Sequence, residues 1–214
     1  MEPAELIDYY RRRAGEYEAI YAKPERQADL AALRREVAAL VRGRRMLEIA
    51  CGTGYWTELM AVSAASVVAT DVAEEPLALA RAKALPTDKV RFGLADAYAL
   101  DASLGRFDGA FAGFWWSHVP RGRLREFLAS LHARLEPGAA VILLDNRYVE
   151  GSSTPIMGFD AAGNSYQLRR MGDGSQVRVL KNFPSEDSLR ADLAPAPVCF
   201  QALDYYWLAH YRLQ

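Results

Sequence analysis

The chain is poor in cysteine: Cys51 and Cys199 are the only two among 214 residues. Two thiols are too few for a disulfide framework or a structural zinc site. Net charge is also nearly absent, with 26 Lys and Arg against 27 Asp and Glu. That removes the field expected of a dedicated nucleic-acid binder. The first 45 residues carry ten basic and eight acidic side chains, so no basic arm hides in the average. No uninterrupted apolar run approaches the ~20 residues that span a bilayer. The start, MEPAELIDYYRRR, is acidic first and has no apolar h-region, unlike a signal peptide. Internal repeats and low-complexity tracts are missing too. These absences lead us to expect a soluble protein of the reducing cytoplasm, with neither a membrane nor a nucleic acid as partner. What remains is globular in composition, 51% hydrophobic, 25% charged and 11% aromatic. A chain of this length buries roughly 70% of its unfolded surface and needs no covalent staples.

Apolar spacing predicts a helix over 4–21, ended by Pro24, and an amphipathic helix over 26–41 carrying Leu30, Leu33, Val37 and Leu40 on one face. The rhythm then changes. Strands are expected at 46–50, 66–70, 89–95, 109–114 and 139–145. Helices at 55–63, 76–84 and 123–135 alternate with them, and Pro137-Gly138 reads as a turn into the last of those strands. Such alternation means βαβ units, a mostly parallel sheet and helices on both faces. Residues 146–165 show no period. YQLRRM and SQVRVL flank Gly172-Asp173-Gly174, a hairpin signal. Ser185 is suited to cap a helix running to about Ala194. The tail VCFQALDYYWLAHYRL is β-rich and compatible with one long strand or with two joined near Tyr205.

The sharpest local signal is LEIACGTGYW (47–56), a buried strand running into Gly52-Thr53-Gly54 and then a helix. Glycine permits the sharp turn and lets a ligand approach where a Cβ would collide. In a doubly wound sheet this is the first βα turn, at the end of the central strand where ligands bind. Two acids sit at matching places: Asp71 ends the second strand and Asp96 follows the third. An ionised carboxylate is acceptor-only, suited to the hydroxyls of a ribose or the exocyclic amine of an adenine. Each acid alone is a weak signal, since an Asp ending a strand is more often a cap or a solvated turn. Three successive strand ends bearing a Gly-rich turn, Asp and Asp are far more specific.

These residues resemble the class I S-adenosylmethionine-dependent methyltransferases, of the small-molecule type. The resemblance covers residues 8–145 and, more loosely, the tail. It implies a Rossmann-like sheet of order 3-2-1-4-5 with one or two antiparallel strands from the tail. It also implies a single domain over 1–214: covering helices (1–42), a cofactor-binding core (43–145), a loop and hairpin insertion (146–184) and a terminal helix with strands (185–214). S-adenosylmethionine would be the cofactor and S-adenosylhomocysteine its product. By that resemblance Glu48 lies near the cofactor's amino group, and the backbone of Ala50, Cys51, Gly52 and Gly54 packs against it. Asp71 takes the ribose with Val72 beside the adenine, while Asp96 and Ala97 flank the adenine edge. Phe114 stands at the end of the fourth strand beside the transferred methyl. Tyr10 and Tyr17 approach the cofactor from the covering helix, although an aromatic stripe also reads as plain packing. The competing dinucleotide fingerprint G-x-G-x-x-G is not met, since Thr57 occupies its third glycine position. An NAD(P)-dependent oxidoreductase is therefore the weaker alternative, and a cofactor-binding protein without catalysis is another.

Methyl transfer to a hydroxyl or a protonated amine needs a base, and His118, just beyond the fourth strand, is the candidate. A helix cap or pocket wall is its structural alternative. His132 reads as surface and His210 as structural. One of Trp115 and Trp116 is expected to line the site. Asp145-Asn146 resembles the Asp-Asn pair of magnesium-dependent methyltransferases, but no acid lies between Gly109 and Val119, so no metal is expected. The expected acceptor is a small molecule, bound by a monomer or a homodimer. Arg169, Arg170 and Arg178 on the hairpin could read an anionic acceptor, but on an exposed hairpin such residues are more often solvated edge charges that discourage strand pairing.

Overall fold

The structure, a computed structural model, describes residues 11, 14–172 and 174–214. Its centre is a seven-stranded sheet in the order β3-β2-β1-β4-β5-β10-β9, with a separate three-stranded sheet β6-β7-β8. The first five strands are β1 (Arg45–Ile49), β2 (Ser66–Asp71), β3 (Val90–Leu94), β4 (Phe107–Gly113) and β5 (Leu135–Asn146). They pair in parallel, whereas β10 (Tyr206–Arg212) joins β5, and β9 (Cys199–Ala202) joins β10, antiparallel. The tail thus makes two strands around a turn at Leu203–Tyr205.

Central strands are apolar without alternation because both faces are covered. Along β5, Val141 and Leu143 enter one core cluster, while Ile142 and Leu144 enter the other. Phe127 and Leu131 of α4 (Leu124–His132) and Leu189 of α5 (Glu186–Leu193) fill the first cluster. The second is filled by Leu30, Leu33 and Val37 of α1 (Gln27–Leu40), Met60 of α2 (Tyr55–Ser63) and Leu77 of α3 (Glu74–Arg81). Ser185 caps α5 by accepting from Ser188 N.

Three expectations are corrected. Of the first helix, Arg11 is α-helical but Ala14–Ala22 form a 3-10 helix, and Pro24, with no N–H to donate, bars its continuation. Strand five begins at Leu135 and runs through Pro137-Gly138. Gly138, at φ +78°, absorbs the irregularity where Phe107 pairs with Leu135 but Gly109 with Ala140. The aperiodic stretch before the hairpin holds β6 (Ile156–Phe159), the outer partner of β7 (Ser165–Arg170), which pairs in turn with β8 (Gln176–Leu180). A four-residue edge strand with one shifted register leaves no period to read.

Candidate active site

Parallel registry brings five strand ends to one edge. Ile49 pairs with Thr70 and with Ala112, Asp71 with Leu94, and Gly113 with Leu144. The chain just past these ends is strained: Ala50 has φ +51° and Phe114 φ +59°, left-handed values that cost a side-chain-bearing residue energy. Such strain clusters where a fold is built to hold something.

Between β1 and α2 the glycine turn is closed by its neighbours. Gly52 N donates to Asp71 Oδ2 at 2.9 Å, and Ala73 N to Asp71 Oδ1 at 3.0 Å. The Val72 N–H also favours the ionised form of Asp71; a carboxylate has about four lone-pair directions, so room remains for a hydroxyl donor. Burial pushes the Asp71 carboxyl above its ordinary range, against the pull of those backbone N–H groups. Val72, next in the chain, and Leu94, the β3 residue paired with Asp71, are apolar and 44% and 58% exposed. Asp96 accepts from Tyr98 N at 2.9 Å through one oxygen, and Ala97 is buried beside it. Gly54 serves a different need: at φ +79°, a Cβ there would lie 3.1 Å from the Ala80 Cβ of α3, so it permits close helix contact.

Glu48 is buried in the floor of this site and accepts from Thr57 Oγ1 at 2.5 Å. Burial raises its pKa to about 8. A bound ammonium would reverse that shift, since an opposite charge favours the ionised form. Cys51 is equally enclosed, and burial lifts its thiol far above the ordinary range, which leaves it inert.

The 3-10 segment covers the turn. Glu18 Oε1 accepts from Thr53 Oγ1 and from Lys83 Nζ, both at 2.7 Å. Tyr21 stacks on Tyr55 with centroids 3.8 Å apart, and Phe114 meets Tyr21 and Tyr206 edge-on, each at 5.7 Å. Tyr10 and the side chain of Tyr17 lie outside the described residues.

Across the edge, beyond β4 and β5, sits a buried polar group. Asp145 is fully enclosed; its Oδ2 accepts from Ser117 N at 2.9 Å and its Oδ1 from Lys181 Nζ at 3.1 Å. Lys181 also donates to Ser117 Oγ at 2.6 Å and lies 3.5 Å from His118 Nε2. His118 Nδ1 bonds Leu180 O at 2.8 Å, so Nδ1 carries the proton and Nε2 the lone pair. Burial, helped by the Lys181 charge, lowers the His118 pKa to about 3, so the ring is neutral. Burial alone would raise the Asp145 carboxyl, but Lys181, His118 and the backbone N–H groups hold it below its ordinary range. With Lys181 on it, this acid is committed to an ion pair.

The other histidines and the tryptophans differ in part from expectation. His132 is half-buried, not on the surface, because Nε2 reaches Tyr211 Oη at 2.7 Å. His210 lies on β10 opposite Ile142, as a structural residue would. Trp116 is 2% exposed in the core, while Trp115 stands edge-on to Tyr98 at 5.9 Å, on the Asp96 side. Of the hairpin arginines, Arg170 is exposed and Arg178 lies flat on the Tyr166 ring at 3.8 Å. Arg169 alone is half-buried with its charge felt at His118. Lys181 and Arg26 were not legible as site residues. A lysine straight after the buried Val179 and Leu180 is a weak signal for the first; nothing local marks the second.

Residues 46–138 match the family model described as "Methyltransferase domain". The chain is 35% identical over 109 residues to a demethylmenaquinone methyltransferase of Clavibacter sepedonicus, covering 50% of this chain and 43% of that protein. It is 34% identical over 101 residues to a ubiquinone biosynthesis O-methyltransferase of Azotobacter vinelandii (strain DJ / ATCC BAA-1303), covering 46% and 43%. The matches thus span under half the length of these curated relatives. Among solved structures, DhpI in its SAH complex and in its SAM-HEP complex superposes with a TM-score of 0.79 at 29% identity, over 98% of this chain and 96% of that one. CalS10, an amino pentose methyltransferase from Micromonospora echinaspora solved with SAM, shares the fold with a TM-score of 0.60 at 21% identity, over 91% and 95%. The strand order, the glycine turn followed by Asp71 and Asp96, and these likenesses agree: residues 46–138 match a methyltransferase domain, and the chain has the fold of the class I S-adenosylmethionine-dependent methyltransferases.

Proposed function

We propose that this chain transfers the methyl group of S-adenosylmethionine to an oxygen or nitrogen of a small acceptor. The observation that carries the reading is the row of strand ends in which the Gly52 turn, Asp71 and Asp96 stand side by side in parallel register. When bound, the cofactor supplies a methyl already activated on a sulfonium, leaving the protein chiefly to align and to exclude water. Asp71 is suited to the ribose hydroxyls, the exposed apolar Val72 to the base, Asp96 to its amine and Glu48 to the amino group.

On the acceptor side, Lys181, Ser117, Asp145 and His118 form a preorganised polar wall beyond Phe114. A proton leaving a hydroxyl or ammonium acceptor is assigned to His118 Nε2. With a pKa of about 3 that ring is a weak base but is unprotonated throughout the neutral range. His118→Ala should therefore lower kcat by about 10²-fold, the low end for general-base catalysis, with cofactor affinity intact. The rate should show no acid limb from this group between about pH 5 and 8; a limb centred near 6.5 that vanishes in His118→Ala would refute the assignment of a depressed pKa.

Asp71→Ala should weaken S-adenosylhomocysteine binding at least about tenfold, 1.4 kcal/mol, without unfolding the chain. Binding without turnover across hydroxyl and amine acceptors would instead favour a non-catalytic cofactor-binding protein. Binding of NADH would favour an oxidoreductase.

A further inference from the structure

Arg26 is a buried cation with no carboxylate. It precedes α1, is 7% exposed, and reaches across the sheet edge to the end of β5. Its Nη1 donates to Asn146 Oδ1 at 3.2 Å and its Nη2 to Ser152 Oγ at 3.0 Å, both neutral. The rings of Tyr205 and Tyr206 lie 5.1 and 5.5 Å from its Cζ. No carboxylate lies within ion-pair distance among the described residues, and the buried Nε has no hydrogen-bond partner. An isolated buried charge is costly unless paired, and aromatic faces offset only part of that cost.

Arg26 is not alone. Arg169 donates through Nη2 to the neutral Gln167 Oε1 at 2.6 Å and likewise has no carboxylate partner among the described residues. The charges of both arginines are felt at Lys181. Three cations thus share one region in which Asp145 is paired with Lys181; the nearby Asp29 carboxylate, whose charge like that of Arg26 acts on Tyr206, accepts from Tyr205 N and makes no ion pair with either arginine among the described residues. The guanidinium edge formed by Nε and Nη2 is the one that grips an oxyanion side-on through two parallel hydrogen bonds. Here Nε is unpartnered and Nη2 rests on a hydroxyl of the irregular loop between β5 and β6.

We propose that Arg26, supported by Arg169, is a specificity-determining residue that binds an oxyanion (a carboxylate or a phosphate-type group) of the methyl acceptor, the anion taking the place of Ser152 Oγ and bridging Nε and Nη2. This rests on the methyltransferase reading for what the site does with the bound molecule, but the binding itself does not. A purely structural pin between α1 and β5 would need neither the open Nε nor a second arginine without an ion pair.

The test is calorimetric titration with sodium phosphate, and separately sodium acetate, at constant ionic strength, with glycerol as the neutral control. Each titration is run with and without S-adenosylhomocysteine, on wild type, Arg26→Gln, Arg26→Lys and Arg169→Gln. The wild type should bind one of the anions saturably at millimolar or tighter concentration, and which one separates a phosphate-type from a carboxylate acceptor. Arg26→Gln and Arg169→Gln should each lose about tenfold or more in anion affinity. Arg26→Lys, which keeps the charge but not the fork, should fall between, while S-adenosylhomocysteine affinity stays within about twofold of wild type. Equal anion binding by wild type and both Gln variants overturns the proposal, as does the absence of saturable binding of either anion by wild type. Failure to bind S-adenosylhomocysteine alone overturns the cofactor reading, and the anion titrations without it still decide this one. Should Arg26→Gln not fold, Arg169→Gln carries the comparison.

Discussion

At the scale of single residues, Glu48 has the clearest pH signature. In the folded, cofactor-free chain its pKa is raised by burial from 4.5 to about 8. The unfolded carboxyl loses its proton near 4.5, the folded one only near 8. The stability from this group is therefore fully present below pH 4.5 and is lost as pH rises through 8. Glu48→Gln should remove that slope, so thermal melts between pH 5 and 9 should show the variant gaining on wild type as pH rises. The same variant should bind S-adenosylhomocysteine more weakly. Gly54 offers a second residue-scale test. An alanine there must adopt φ +79° and press on Ala80. Gly54→Ala should cost about 1–2 kcal/mol, read as a lower denaturation midpoint.

Between elements, two polar ties decide how the site is enclosed. The Glu18 carboxylate, held by Thr53 and Lys83, fastens the 3-10 segment over the glycine turn. Burial raises its pKa, but Lys83 and Thr53 prevail and hold it below the ordinary value. Because the Lys83–Glu18 pair is partly exposed, Glu18→Ala should change global stability by no more than about 1 kcal/mol. It should, however, weaken cofactor binding and speed proteolysis within 14–22. The Lys181–Asp145 pair joins the hairpin sheet to the main one and is almost wholly enclosed. Lys181→Met leaves Asp145 buried and unpaired, so it should destabilise by about 3–5 kcal/mol in denaturant unfolding. The matched double variant with Asp145→Leu should recover part of that loss.

Elements of the main sheet were legible because their signals are local. A glycine turn after an apolar run, and an acid after each of the next two, are patterns within one βα unit. The hairpin was legible for the same reason: Gly172 to Gly174 between two apolar-polar runs fixes a turn. Arg26 was not, since its partner Asn146 lies 120 residues away and the triplet Pro24-Glu25-Arg26 reads as an ordinary helix start. Nor was Lys181, whose meaning depends on Asp145 and His118 arriving from other strands. The 3-10 geometry at Ala14–Ala22 escaped because its apolar spacing serves either helix, and the choice is made by the surface it covers.

For the molecule as a whole, the architecture separates two tasks along one edge of one sheet. The ends of β1, β2 and β3 carry the carboxylates of Glu48, Asp71 and Asp96 and the exposed apolar Val72 and Leu94. The ends of β4 and β5, with the hairpin sheet and the start of α1, bring Arg26, Arg169 and Lys181 together with the buried acids Asp145 and Asp29. On the proposed function, the cofactor would take the first side of Phe114 and a polar acceptor the second. Under the same proposal a purely apolar acceptor is disfavoured, since it would leave Arg26 and Arg169 without an ion pair.

The measurement that bears most directly on this account is calorimetric titration of the purified protein with S-adenosylhomocysteine, with NADH as the control and Asp71→Ala as the paired variant. The account predicts one site of about micromolar affinity, near 8 kcal/mol, for S-adenosylhomocysteine. It predicts none for NADH and at least about a tenfold loss in Asp71→Ala. No binding of S-adenosylhomocysteine, or equal binding by the Asp71→Ala protein, would contradict it.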